Sequence, residues 1–273
     1  MDIKLLAPRQ LTIIALFLFG WLGLGRTVVA EHVQDNLYHT EPHTSPFNIT
    51  VGYVEFPPFE FTNEKGEADG FFIDMTRKVL LQAGYSSTFV ALPISRVYLY
   101  LQEGNIDLWP GLAQVPSLQG HVYESNSTPM HITLCAWHIK NLPSINSVDE
   151  LKGRPIILVN GYTYGGLLYK LTDPHAGFNV AFTPNHVSGL NMLSKNRGDY
   201  FLNYLEPVKL VLPQFPKNEF VYSMLNTRKG AFIVSKKTPY ADKLIQDIDA
   251  SYDTLIKSGA IREYQPPSGP ELD

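Results

Sequence analysis

The chain has 273 residues, a net charge of −4 and a single cysteine, Cys135. That length allows two modest cores or one large one, the acidic balance offers no basic footprint for nucleic acid, and one cysteine excludes an internal disulfide framework. Residues 1–30 read as a secretory signal, with Lys4 and Arg9 before an apolar run from Leu11 to Leu24 and Val28-Val29-Ala30 before a cut expected after Ala30. The run is about 14 residues, whereas a membrane-spanning helix wants about 20, which favours a cleaved signal over an uncleaved anchor. Lys4, Arg9 and Arg26 against Asp2 give the signal +2, so residues 31–273 carry −6. Residues 31–46 lack periodicity and read as a flexible leader. Its His32, His39 and His43 have no metal-ligand spacing, and no metal or other cofactor is expected.

From Phe47 the pattern alternates between short strands and longer helices. Strands are expected at Asn48–Val54, Thr88–Leu92 and Ile106–Trp109, with helices at Gly70–Ala83 and Ser95–Glu103, ended by Gly84 and Gly104. The apolar run Ile132–Ile139 leads to a second set. There Ser147-Val148-Asp149-Glu150 reads as a capping box, strands fall at Pro155–Val159, Phe178–Phe182 and Tyr200–Tyr204, and helices at Tyr164–Leu171 and Val187–Asn196. A last strand, Ala231–Val234, precedes a helix starting at Thr238 with Pro239 in its first turn and ending at Gly259. Cys135, within an apolar stretch, reads as a small buried hydrophobe.

Alternating strands and helices imply parallel pairing with crossover helices, and two such units leave a crevice at the carboxyl ends of their strands. The residues expected there include Tyr53, Glu55 and Phe56 after the first strand, Trp109 and Gly111 after the third, and Tyr162, Thr163, Tyr204 and Glu206 in the second unit. Aromatic rings over a few polar groups suit a flat or partly apolar small molecule.

Three stretches in this order, Gly52-Tyr53-Val54-Glu55-Phe56-Pro57-Pro58-Phe59-Glu60-Phe61, Gly70-Phe71-Phe72-Ile73-Asp74-Met75 and Leu101-Gln102-Glu103-Gly104-Asn105-Ile106-Asp107-Leu108, carry a resemblance. It continues through Ser147–Gly153, Gly161, Arg197-Gly198-Asp199-Tyr200 and Gly259–Tyr264. The chain resembles the family 3 extracellular solute-binding proteins, the periplasmic receptors that include polar amino-acid-binding components of ABC transporters. The resemblance implies an α/β, two-lobed type II periplasmic binding fold, each lobe a mostly parallel sheet flanked by helices. Lobe 1 would be residues 47–131 plus 231–265, lobe 2 residues 136–226, with a hinge near 131–135 and 227–230 and a tail from 266 to 273. A ligand would close the cleft, because contacts to both lobes exist only in the closed state.

Relatives that bind α-amino acids usually clamp the ligand carboxylate with an arginine after the third strand. Here no arginine stands between Arg96 and Arg154. The family's acidic partner for the ligand amine falls, by the same resemblance, at Tyr204. With both ionic handles missing, a plain amino acid is not the expected ligand. Arg96 at a helix start is placed to meet an anionic group, as are the backbone amides of Tyr162–Tyr164 opening a helix, while Glu206 or Glu55 would meet a cation. Phe56 falls where relatives stack an aromatic ring on the ligand.

The expected function is capture of a small polar or partly aromatic solute in the periplasm by a monomer that presents it to an inner-membrane ABC-type permease. The alternatives are a ligand-sensing subunit for a membrane receptor and, more remotely, a cleft enzyme of dehydratase type using Glu55 and Glu60. No nucleophile elbow, zinc helix motif or phosphate loop is present in the sequence, and no catalytic residue is assigned.

Overall fold

The computed structural model describes residues 47–264. The predicted export signal, the histidine-containing leader and the tail lie outside the described residues. Among the described residues no helix is long and apolar enough to cross a membrane.

The first half starts with β1 (Asn48–Tyr53), in which alternate Ile49, Val51 and Tyr53 are buried. A short hairpin of β2 (Phe61–Thr62) and β3 (Ala68–Asp69) leads to α1 (Phe71–Gln82). Helical spacing puts Phe72, Met75, Thr76, Val79 and Leu80 on one face of α1, and all are buried. Next come β4 (Ser86–Ala91), α2 (Ile94–Glu103) and β5 (Leu108–Leu112), with β4 and β5 parallel to β1 on either side. α2 ends at Gly104, whose φ of 82° is the left-handed cap that glycine adopts without a Cβ penalty.

β6 (Val122–Glu124) and the long β7 (Met130–Ile139) lead into the second half. It contains β8 (Pro155–Val159), α3 (Leu168–Thr172), β9 (Asn179–Thr183), α4 (His186–Ser194), β10 (Tyr200–Tyr204) and α5 (Leu205–Val211). β9 and β10 run parallel to β8 on its two sides. The 16-residue β11 (Phe220–Ser235) returns to the first half and is followed by α6 (Ala241–Ser258).

β7 and β11 pair antiparallel from Phe220↔Ile139 to Gly230↔Met130, with a bulge between Met224 and Asn226. Their outer neighbours are β10 and β5, so one sheet runs β4-β1-β5-β11-β7-β10-β8-β9. The buried apolar residues nevertheless divide. Phe72, Leu108, Ile132, Phe232 and Ile248 belong to one core; Leu134, Leu158 and Leu202 pack on one face of the second half's strands, and Cys135, Trp137 and Phe201 in a further cluster there. The division falls between Ile132 and Leu134 on β7. Each lobe is thus built on three parallel strands plus one antiparallel strand, with helices packed against them, and in the first lobe β6 adds to the end of β11 as well. Cys135 is fully buried, and burial pushes its thiol up to about 12.

Several elements differ from the sequence expectation. The third strand begins at Leu108 because Asp107, just before it, accepts hydrogen bonds from the Thr50 amide at 2.8 Å and the Thr238 hydroxyl at 2.9 Å. Pro110 is tolerated inside β5 because β1 pairs with it only at Val51↔Leu108. Ala231–Val234 is the end of β11; its first half, from Phe220, reads as loop because Asn226, Thr227, Arg228 and Lys229 are polar. The last helix starts at Ala241, since the Thr238 hydroxyl goes to Asp107 and Tyr240 sits at a φ of 55°. The helix expected at Tyr164–Leu171 is a 3-10 turn, Tyr164–Gly166, followed by α3. The capping box is partial: Glu150 reaches the Ser147 hydroxyl at 3.1 Å and the Asn146 amide rather than that of Ser147. α5, whose apolar residues merge with β10 in sequence, was not anticipated.

Candidate functional site

Between the lobes lies a cavity of about 450 Å³, walled by the ends of β1 and β5 and the start of α2 on one side and by residues 160–165 and Tyr204 on the other. That volume is within the usual range for small-molecule sites, and the lining is largely apolar and aromatic.

The chain leaves β1 in a tight turn in which the Phe56 amide donates to the Glu60 carbonyl at 2.7 Å and the Phe59 amide to the Phe56 carbonyl at 3.0 Å. This turn sets Phe56 and Glu60 together at the cavity wall. Phe56 packs edge-on against Tyr204, with ring centroids 5.1 Å apart, and against Tyr162 at 6.0 Å, so it meets two aromatic residues of the opposite lobe.

Glu60 is only 3% exposed. Its Oε1 accepts a 3.3 Å hydrogen bond from the Trp109 indole, and Oε2 is buried with no hydrogen-bond partner. Burial raises its pKa well above the usual 4.5; the Trp109 bond and the nearby Val54 amide oppose the rise and the Glu55 charge adds to it. Trp109 lies where it does because Gly111 carries no side chain: a Cβ there would fall 2.0 Å from the indole ring.

In the second lobe, the Tyr204 amide donates to Asn203 Oδ1 at 2.8 Å, which turns the Asn203 amide group toward His186 Nδ1, also at 2.8 Å. His186 Nδ1 therefore accepts, and Nε2 carries the proton toward the Tyr162 hydroxyl 3.4 Å away. Burial lowers the His186 pKa, keeping the ring neutral. Burial also raises the pKa of Tyr162, Tyr164 and Tyr204, so these phenols are neutral donors. Tyr164 is spent on structure: its hydroxyl oxygen accepts from the Val159 amide at 2.7 Å.

The lobes also touch directly. Tyr98 and Thr163 share a 3.2 Å hydrogen bond across the cleft. Arg228 on β11 donates from Nη2 to the Ala113 carbonyl in the first lobe and from Nη1 to the Gly165 carbonyl in the second, at 3.3 Å. A Cβ at Gly165 would lie 2.3 Å from Nη1, so glycine there admits the guanidinium.

Of the residues expected at the cleft from sequence, Phe56, Trp109, Gly111, Tyr162, Thr163 and Tyr204 line the cavity, and Glu55 stands at its exposed edge. The others are placed elsewhere. Tyr53 is buried with its hydroxyl 2.9 Å from the Thr62 hydroxyl, because the alternation of β1 turns it away. Arg96 is exposed and folds over Tyr100, its guanidinium carbon 5.3 Å from the ring centroid. Glu206 accepts from the Tyr264 hydroxyl at 3.1 Å and sits 4.0 Å from Lys209. The expected helix start at Tyr162–Tyr164 is only the short 3-10 turn, so it presents no helix terminus to an anion. Tyr98, Arg228 and His186 are site residues that the sequence reading lacks, whereas Asn203 falls in the cleft stretch Asn203–Glu206 that the sequence marks. Tyr98 has a signal: it is two positions from Arg96, hence on nearly the opposite side of α2. Among the described residues no three His, Cys, Asp or Glu side chains gather to hold a metal.

This arrangement, two α/β lobes bridged by a pair of long strands with a cleft between them, is the type II periplasmic binding-protein fold. The sequence profile of the bacterial extracellular solute-binding proteins, family 3, matches residues 49–266, and the chain belongs to that family. Solved structures share the fold. An ancestral arginine-binding protein bound to arginine aligns with a TM-score of 0.61 and 22% identity over 78% of this chain and 93% of its own. The GluR0 ligand-binding core with L-glutamate gives 0.62 and 18% over 79% and 95%. A histidine kinase sensor domain with similarity to periplasmic binding proteins gives 0.63 and 19% over 78% and 92%. No curated protein sequence gives a significant match.

Proposed function

We propose that the chain is exported to the periplasm, captures a small, partly aromatic solute between its lobes, and presents the closed form to an inner-membrane ABC-type permease. The observation that carries this reading is the cleft cavity whose aromatic wall is supplied from both sides, by Phe56 and Trp109 on one lobe and Tyr162 and Tyr204 on the other. A guest touching both walls stabilises closure, because those contacts are lost when the lobes part. The hinge is the stretch of β7 and β11 around residues 131–135 and 227–230, where core membership changes hands. Lobe 1 is then 47–131 with 231–265 and lobe 2 is 136–226, and the cleft works as a binding site without a catalytic step.

A second reading is sensing, in which the closed form docks on a membrane receptor. It is favoured by the sensor domain that shares this fold. Genomic neighbours separate the two: an adjacent permease and ATPase for transport, an adjacent signalling protein for sensing.

The experiment is a thermal-shift screen of amines, aromatic acids, neutral aromatics and amino acids on the chain recovered from a periplasmic fraction. A ligand at a hundredfold its Kd adds about 2.7 kcal/mol of stability. Phe56→Ala should weaken the hit by about tenfold or more while the protein stays folded. Absence of the protein from the periplasm, or a screen in which no class of compound shifts the melting curve, overturns the reading.

A further inference from the structure

The cavity contains a charge problem that its own walls do not solve. Glu60 is buried there with Oε2 unpartnered, and none of the side chains lining the cavity is a lysine, arginine or histidine. An unpaired buried carboxylate is costly, so either a proton or a cation must accompany it. The rings of Phe56, Tyr98, Trp109, Tyr162 and Tyr204 line the same cavity. Aromatic faces attract cations and offer nothing to an anion. Arg228, whose charge reaches Tyr98 at the wall, is committed to the carbonyls of Ala113 and Gly165.

Resting on the solute-capture reading, we infer that the guest is a small organic cation, a substituted ammonium with an apolar or aromatic arm and no free carboxylate, whose charge pairs with Glu60 Oε2 inside the aromatic wall. The same site disfavours anions, which would meet the Glu55 carboxylate and no cationic side chain in the cavity lining. It also explains why an aromatic cleft carries a buried acid at all. Below its raised pKa the acid of the free protein carries a proton; the arriving cation displaces that proton to solvent as the pair forms. The groups facing Glu60 are the Glu55 carboxylate, the phenols of Tyr98 and Tyr162 and the Trp109 indole.

The test is calorimetry on the full chain recovered from the periplasm, with four probes: benzyltrimethylammonium, phenethylamine, 2-phenylethanol and phenylacetate. Each is titrated in two buffers of different ionisation enthalpy, so that proton release is read directly. The two cations should bind in preference to the alcohol and the acid. Benzyltrimethylammonium, whose charge does not titrate, should bind more tightly as pH rises from 4.5 until Glu60 ionises in the free protein, with proton release over that range. Glu60→Gln should weaken both cations by about 30-fold or more and abolish the release. Should Glu60→Gln fail to fold, proton release by the unmodified chain still decides. Preference for the alcohol or the acid, or cation binding without proton release in that range, overturns the cation assignment and leaves solute capture standing. Failure of every probe, in a chain for which the broader screen finds an amino acid or another anion, overturns it as well; failure of both screens sinks the solute-capture reading itself.

Discussion

The hydroxyl of Tyr98 on α2 lies 3.2 Å from the hydroxyl of Thr163 on the opposite lobe, so the two halves are tied by side chains at the cavity wall. A bond of this kind contributes about 0.5–1.5 kcal/mol net. Tyr98→Phe keeps the ring and deletes the bond, and it should weaken ligand affinity by about two- to tenfold, read by calorimetry. An unchanged Kd would mean the bond forms no part of the bound state.

Arg228 makes the second tie, and it works from the bridging strand itself. One guanidinium serves Ala113 and Gly165 together, which needs the planar fork that lysine lacks. Arg228→Lys should therefore behave nearly as badly as Arg228→Met, each reducing ligand affinity by about tenfold through a less populated closed state. Scattering of the free protein should show the expanded form more populated in both variants. A lysine variant indistinguishable from the unmodified chain would remove the two-sided tie from the account.

Glu60 sets a pH dependence of stability in the free protein. Its folded pKa is raised above 4.5, so its contribution is fully present below that pH and is lost as pH rises toward the folded pKa, where the unfolded state has shed a proton that the folded state keeps. The loss from one such group approaches about 1.4 kcal/mol per pH unit. Glu60→Gln should flatten that part of a denaturant-measured stability profile; a profile of identical slope contradicts the burial of an unpaired acid.

His186 acts in the opposite direction. Its folded pKa is lowered from 6.5, so its stabilisation is present above that pH and is lost as pH falls through the folded pKa, when the ring must charge against Asn203. His186→Asn should weaken binding about fivefold by freeing Tyr162, with nitrogen chemical shifts of the imidazole reporting a neutral ring at pH 6.5 in the unmodified chain. A ring found protonated there would contradict the hydrogen-bond chain.

Arginine and glutamine test the ligand class from another side. Both carry a free carboxylate, and no arginine or lysine side chain lines this cavity to receive it. Each should bind at least about a hundredfold more weakly than the best ammonium probe, by competition calorimetry. Tight binding of either would show that the missing clamp had been replaced by something else.

Much of the fold was legible because periodicity is a local property: Phe72, Met75, Val79 and Leu80 mark α1 whatever surrounds them. The first half of β11 was not legible, because a strand that crosses from one lobe to the other presents Asn226–Lys229 to a partly exposed setting and so loses the apolar signal. At the cavity, residues that end strands were locatable from the strands themselves, as with Trp109 and Tyr204. Residues defined by their neighbours across the cleft were not. Arg96 and Glu206 looked like ligand-facing charges, yet Arg96 pairs with Tyr100 one turn along its own helix and tertiary packing gives Glu206 Tyr264 as a partner. Glu60 stood in the sequence as half of a possible acid pair, and only its burial beside Trp109 shows it as a lone acid in an aromatic chamber.

Small-angle scattering of the chain, recorded while a ligand from the screen is titrated in, tests the central claim most directly. The account predicts that the radius of gyration falls along the same curve as binding, and that Tyr204→Ala, which removes one cavity wall, shifts both curves together. Dimensions that stay constant from free to saturated protein, or a binding curve indifferent to Tyr204→Ala, would contradict it.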